Sequence, residues 1–299
     1  MSKIIIVGSI AMDLVLETNK IPEQGETVVG ESFSTFAGGK GANQAVAAAR
    51  LTDADTEVLM VGAVGQDDFA SQLKENLKKE NINIKNVGTV SGSTGIAQIT
   101  LFEKDNRIII IPAANNKVEI DDFSIFDKAD IVVLQNEIPH YVNLQIVNYC
   151  QEKKIKVLYN PAPSRETDHE MLDMVDFISP NEHECCQLFP DLTIEEALRK
   201  YPNKLIVTQG VSGVSYCDSF EIKKIPAIKA EVVDTTGAGD TFNAAFAVAL
   251  IQSLPIEEAI KFAVLAAHLS VQKLGAQLGM PTLKEMEVNK NYEKNWNFK

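Results

Sequence analysis

"KIIIVGSI", residues 3–10, is an almost unbroken apolar run rich in β-branched residues, which favour extended backbone. It is far too short to span a bilayer, so it reads as a strand. Consecutive isoleucines leave it no polar face, and a strand of that kind must be covered on both sides. The pattern recurs along the chain in "EVLMVGAVG" (57–65), "ADIVVLQNEIP" (129–139), "KIKVLYNPAP" (154–163) and "KLIVTQG" (204–210). Helical stretches lie between these runs, among them the Ala-rich "GANQAVAAARL" (41–51) and the amphipathic "DDFASQLKENLKKE" (67–80). The alternation predicts an α/β three-layer sandwich, a mostly parallel sheet flanked by helices, with ligands at the carboxyl ends of the strands.

Two segments depart from the rhythm. Residues 11–36 and 92–112 supply no helix for a βα unit and read as hairpin material, "STGIAQITLF", a turn "EKDNR", then "IIIIP". They are expected to form a small β-sheet lid over a core made of 1–10, 37–91 and 113–288. The polar tail 289–299, "NKNYEKNWNFK", is expected to fray.

The 299 residues are enough for one large domain, or one domain with an appendage. A formal charge of −13 argues against a reader of nucleic-acid phosphates. The opening "MSKIIIVGSIAMD" is neither a signal peptide nor a spanning helix, and no later run is long enough to span. Cys150, Cys185, Cys186 and Cys217 show no CxxC spacing, so the expectation is reduced thiols in a cytoplasmic protein without membrane partners.

Two glycine-rich turns carry the chemistry. In "EVVDTTGAGDTFNAAFAVAL" (231–250), Gly237, Ala238 and Gly239 precede a carboxylate, Asp240, and an apolar helix. Bare N–H groups at a helix start attract anions, although such a turn is equally a structural cap. A dinucleotide fingerprint is excluded, since the third glycine is missing and the helix runs into another helix. In "FAGGKGANQAVAAAR" (36–50), Gly38, Gly39 and Gly41 open a second helix, with Lys40 and Asn43 at the same mouth. Glu137 follows a strand in "VLQNEIP". In "ISPNEHECC", Asn181 and Glu184 lie one turn apart, as a capping pair or as oxygen ligands to Mg2+ through water. The turn "TQGVSGV" (208–214) either wraps a nucleotide or makes a hairpin. These turns all fall on one rim of the predicted sheet.

Taken together the motifs resemble the phosphofructokinase-B (PfkB) carbohydrate kinase family, and within it the ribokinases, over residues 3 to 285. "GGKGANQAVAAAR" is similar to the family's N-terminal signature and "DTTGAGDTF" to its C-terminal one, with "QNEIP", "NPAPS", "PNEHE" and "KLGAQLGMP" in matching order. The resemblance implies transfer of the γ-phosphoryl of MgATP to the terminal hydroxyl (O5) of a pentose, ribose first. Gly237, Ala238 and Gly239 would form the anion hole and Asp240 would be the base. A carboxylate cannot deprotonate an alcohol outright; it orients the hydroxyl and accepts the proton late in the transfer. By the same resemblance Ala11, Met12, Asp13, Gly39, Lys40, Asn43 and Glu137 face the sugar. Asn181, Thr208, Gly210, Ser212, Gly213 and Gly239 flank ATP, and Glu184 organises Mg2+ through water. Asp234, with Thr236, Ser270, Lys273, Gly275 and Gly279, matches a monovalent-cation (K+) site. The lid would pair with a second subunit's lid in a homodimer.

One departure bears on the substrate. The family's "N-x-D" reads here "A-M-D", so Ala11 stands where an asparagine usually meets sugar hydroxyls. A site lacking that partner discriminates less against a sugar lacking the hydroxyl, which brings 2-deoxyribose in beside ribose. "QNE" for the commoner "QLE" is a smaller change beside Glu137. A nucleoside or other sugar kinase of the family, and a sugar- or nucleotide-binding protein without catalysis, are the alternatives.

Overall fold

In the computed structural model, which describes residues 2–103, 105–165 and 169–296, the first isoleucine run is the spine of the molecule. Of the expected 92–112 segment, Lys104 lies outside the described residues, as do Met1 and residues 297–299 of the tail.

The chain runs through β1 (Ser2–Val7), β2 (Ala11–Glu17), β3 (Ser32–Gly38), α1 (Lys40–Leu51), β4 (Thr56–Val64), α2 (Asp68–Lys79) and β5 (Asn83–Thr89). It continues with β6 (Gly95–Phe102), β7 (Asp105–Ile111), β8 (Ile131–Leu134), α3 (His140–Lys153), β9 (Lys156–Tyr159), α4 (His169–Met174) and β10 (Phe177–Ile178). The last third holds α5 (Glu182–Leu188), α6 (Ile194–Lys200), β11 (Ile206–Thr208), β12 (Val214–Cys217) and β13 (Ile222–Ile225). It closes with α7 (Ala238–Ile251), α8 (Ile256–Ser270), α9 (Ala276–Gly279) and α10 (Leu283–Glu287).

Six strands pair in parallel in the order β10-β9-β8-β1-β4-β5, with β1 near the centre. Its side chains alternate between two cores. Ile4 and Ile6 join Ala45, Phe246 and Phe262 from α1, α7 and α8, while Ile5 and Val7 join Val142, Ile146 and Val147 from α3. This is the layering predicted from a strand with no polar face. Segment 204–210, expected as one more parallel strand, behaves differently. Leu205 and Thr208 make isolated parallel bridges to Ile178 and Asn181, but β11 pairs in register with β12 as an antiparallel hairpin in a separate sheet, β11-β12-β13. The short turn at 210–212 reverses the chain too soon for a crossover helix.

The two irregular segments meet in a third sheet, of order β3-β2-β6-β7. The polar tail is docked as far as Trp296, contrary to the expected fraying. The Trp296 ring stands edge-on to Phe262 with centroids 5.4 Å apart, and its indole N–H donates to Glu258 at 2.8 Å.

Candidate active site

The carboxyl ends of β1, β8, β9 and β10 deliver Ser9, Glu137, Asn160 and Asn181 to one rim of the sheet, and the helices α1 and α7 start on that rim. Both helices need glycine to begin there. Gly39 has φ 90, and a Cβ on it would stand 2.8 Å from the Ala11 nitrogen. Gly237 has φ 77, and a Cβ there would meet the Ala276 methyl at 2.9 Å.

Three carboxylates converge at the mouth of α1. The Asp13 carboxyl is pushed up to about 7, first by burial and then by the charges of Glu137 and Asp240. Glu137 Oε2 accepts from the Ser9 hydroxyl and from the Lys40 backbone N–H, the latter at 3.0 Å, so it also anchors the first turn of α1. Burial alone would lower the Lys40 ammonium, but Asp240, Glu137 and Glu184 around it hold its pKa above the ordinary value. Its backbone and its charge therefore both contribute here.

Asp240 is buried in the first turn of α7, and α1 holds both of its oxygens. Asn43 Nδ2 donates to Oδ2 at 2.9 Å and Gln44 Nε2 to Oδ1 at 3.1 Å. Behind them, Gln277 donates to Asn43 Oδ1 at 3.0 Å, and Gln135 donates to Gln44 Oε1 at 2.7 Å. The amides of Gln44, Gln135, Asn160 and Gln277 were not identified from the sequence. A glutamine inside an Ala-rich helix carries no local sign of its partner.

On the far side of the 237–239 turn opens a cavity of about 600 Å³. Thr208, Gly210, Gly213, Ala238 and Gly239, which the resemblance matched to ATP or to the anion hole, line it. Asn181 and Ser212 are not among its lining residues; Asn181 is bridged to Thr208 next door. The turn at 208–214 thus closes a hairpin and also walls the cavity. Most of the remaining wall, Val211, Ala227, Val264, Ala267 and Val271, is apolar and suits a flat heterocycle. Val264 and Ala267 were not singled out beforehand, because on α8 they follow the ordinary spacing of core residues. The Ala238 N–H already donates to the Thr235 carbonyl at 3.2 Å, which narrows the expected anion hole toward Gly239, where a Cβ would meet open space.

Asn181 and Glu184 adopt the capping arrangement. Asn181 Oδ1 accepts from the Glu184 N–H and Glu184 Oε2 from the Asn181 N–H, each at 2.8 Å. The second Glu184 oxygen stays outside that pair, and burial raises the carboxyl above its usual range. Among the described residues no three His, Cys, Asp or Glu side chains cluster as a metal cage.

The residues matched to a monovalent cation lie on two touching segments, 234–236 and 270–279. Asp234 ties them together, accepting from the Thr236 N–H at 2.9 Å and from the Gly275 N–H at 2.8 Å. Gly279 is the third member, since a Cβ there would stand 2.3 Å from the Ser270 carbonyl oxygen and 3.6 Å from that of Lys273. Carbonyls gathered around a missing side chain fit a large, weakly hydrated cation.

Residues 1–283 match the pfkB family carbohydrate kinase profile. A ribokinase from Lactococcus lactis is 56% identical over 300 residues, spanning 97% of this chain and 99% of the relative. A deoxyribokinase from Salmonella typhi is similar at 35% identity over 299 residues, 94% of this chain and 96% of its own. An Arabidopsis thaliana ribokinase complexed with ribose and ATP shares the fold with a TM-score of 0.87 at 34% identity, covering 95% of this chain and 97% of that one.

Proposed function

This chain belongs to the pfkB family of carbohydrate kinases and is an ATP-dependent sugar kinase, and on that premise we propose that it phosphorylates ribose on O5. The observation that carries the reading is an adjacency. Ala238 and Gly239 wall the large cavity, while the next residue, Asp240, is held by Asn43 and Gln44 beside Asp13 and Glu137. A phosphoryl donor on one side of a single turn and a hydroxyl acceptor on the other are the two reactants of this transfer.

In this reading the nucleotide base packs against Val264 and Ala267, and the phosphates run toward the start of α7. There the Gly239 N–H and the helix dipole stabilise charge on the transferring oxygens. Asp13, Gly39, Lys40, Asn43 and Glu137 hold the sugar, with Ala11 and Met12 at its edge. Asp240 orients O5 and takes its proton as the new P–O bond forms and the bond to the ADP oxygen breaks. Lys40 balances carboxylates that would otherwise repel an incoming phosphate. Mg2+ would neutralise charge between the β- and γ-phosphates, with Glu184 as its organiser through water. The 270–279 loop with Asp234 and Thr236 would hold K+ behind the anion hole.

The β3-β2-β6-β7 sheet is read as a lid that excludes water on closing and meets a second copy's lid in a homodimer. Its exposed Phe33 and Ile109 support that pairing. A cytoplasmic setting is supported by four free cysteines. No helix among the described residues is long and apolar enough to cross a membrane.

The test is ADP release with MgATP and K+, comparing ribose with 2-deoxyribose and the parent with Asp240→Asn. Ribose is expected to give the higher kcat/KM, and Asp240→Asn to lower kcat by about 10²–10⁴-fold. A faster reaction on 2-deoxyribose would instead make Ala11 the determinant of the substrate. ADP release that is independent of sugar, or unchanged in Asp240→Asn, would overturn the kinase reading.

A further inference from the structure

Gln44 is fully buried, and every polar atom of its side chain has a hydrogen-bond partner. Asn160 donates its Nδ2 to the Ser179 carbonyl at 2.7 Å, so its Oδ1 is left to accept. Gln44 Nε2 supplies that hydrogen bond at 3.3 Å and another to Asp240 Oδ1 at 3.1 Å, which uses both of its hydrogens. Gln44 Oε1 in turn accepts from Gln135 Nε2 at 2.7 Å. With Asn160 anchored to backbone and the Asp240 carboxylate able only to accept, the Gln44 amide has one orientation, with its NH2 toward the carboxylate, and Gln135 is left to donate to its Oε1. Gly8 shapes the same packing, because a Cβ there would stand 1.9 Å from Gln135 Oε1.

We propose that Gln44 is a positioning residue for the base, and that the Asn160–Gln44–Gln135 amide chain fixes the rotation of the Asp240 carboxylate so that a free lone pair faces the acceptor hydroxyl. The inference rests on the kinase reading given above. Asn43 holds Oδ2 from the mouth of the sugar site, where an incoming hydroxyl can compete for its amide. Gln44 holds Oδ1 from behind and can hold it through the whole cycle. A carboxylate freed to swing costs alignment at the reacting atoms and leaves the binding contacts in place.

Three variants test this beside the parent and Asp240→Asn, with kcat, KM for ribose and ATP, and Tm recorded for each. Gln44→Met is expected to lower kcat by about 10–100-fold while each KM stays within about threefold. Gln44→Glu keeps the shape but donates only when protonated, and as an anion it repels Asp240. Its kcat relative to the parent is therefore expected to climb as pH falls from 8 to 6, by about tenfold. A purely structural role would leave that ratio flat. If both variants fail to fold, Gln135→Met decides. It keeps Gln44 but unties its Oε1, and is expected to lower kcat by about 3–10-fold at unchanged KM.

With a sugar-dependent parent and an inactive Asp240→Asn, a flat pH ratio for Gln44→Glu or parental kcat in Gln44→Met overturns this inference alone. Parental kcat in Gln135→Met does the same if that variant has to decide. If instead the parent releases no sugar-dependent ADP, or Asp240→Asn matches it, the kinase reading falls and this inference falls with it.

Discussion

Two four-residue stretches of nearly the same composition meet opposite fates in this molecule. Ile4, Ile5, Ile6 and Val7 are 0% exposed on β1, whereas Ile108 to Ile111 on β7 are 48–61% exposed. Both are β-branched strands; their neighbours differ. β1 is paired on both edges and packed on both faces, while β7 is the last strand of a four-stranded sheet and leaves Ile108 to Ile111 exposed. An exposed apolar edge strand invites pairing with another chain unless something covers it. The central run builds the fold, and the outer run is the surface that the proposed lid pairing would use.

The largest test of that contrast is a pair of identical substitutions. Ile6→Asp buries an unpaired charge and is expected to cost well over ~4 kcal/mol, enough to abolish the soluble folded protein. Ile109→Asp is expected to leave the folded spectrum intact and to convert a dimer into a monomer in sedimentation. A dimer that survives Ile109→Asp would place the subunit contact elsewhere.

The second test turns on polar crowding where the two regions meet, since Asp13 at the root of the outer sheet faces Glu137 and Asp240 of the central region. Asp13 holds its proton up to about pH 7 in the folded chain, against a reference of 3.8. The folded state therefore carries the extra proton between about pH 4 and 7, and its stability falls as pH rises through that window. Asp13→Asn should flatten the slope and gain about 1–3 kcal/mol at pH 8, allowing for partial solvation, as read by denaturant titration at pH 5 and 8. An unchanged slope would mean the cluster relaxes before it repels.

The smallest effect is expected where the two regions join. Ala11 opens β2, directly after the buried rim and at the root of the outer sheet. Ala11→Asn restores a polar partner for the sugar and should raise the kcat/KM ratio of ribose over 2-deoxyribose by about 3–10-fold. An unchanged ratio would sever Ala11 from sugar choice.

What the sequence disclosed follows the same division between local and distant causes. Glycine turns, helix starts and apolar runs are decided within a few residues, so Gly39, Gly237, Asp240 and the buried strands could be read directly. The capping box at Asn181 and Glu184 was legible for the same reason. The partners of Asp240 were not, since Gln44 lies 196 positions away and Gln277 meets Asn43 across 234. The antiparallel pairing of β11 was hidden by an apolar run that suits either kind of sheet. The docked tail was hidden by polar composition, with the Trp296 anchor, packed on Tyr292 and Phe262, outweighing its neighbours.

That anchor also provides an optical handle. Trp296 is the chain's one tryptophan, and it sits edge-on to Phe262 of α8, the helix whose Val264, Ala267 and His268 line the large cavity. Its fluorescence therefore arises from a single known position on the helix that a nucleotide would touch. Titrating ATP while watching the emission would follow occupancy of the cavity without label or coupling enzyme, and trimming the last few residues would extinguish the signal and loosen α8 together.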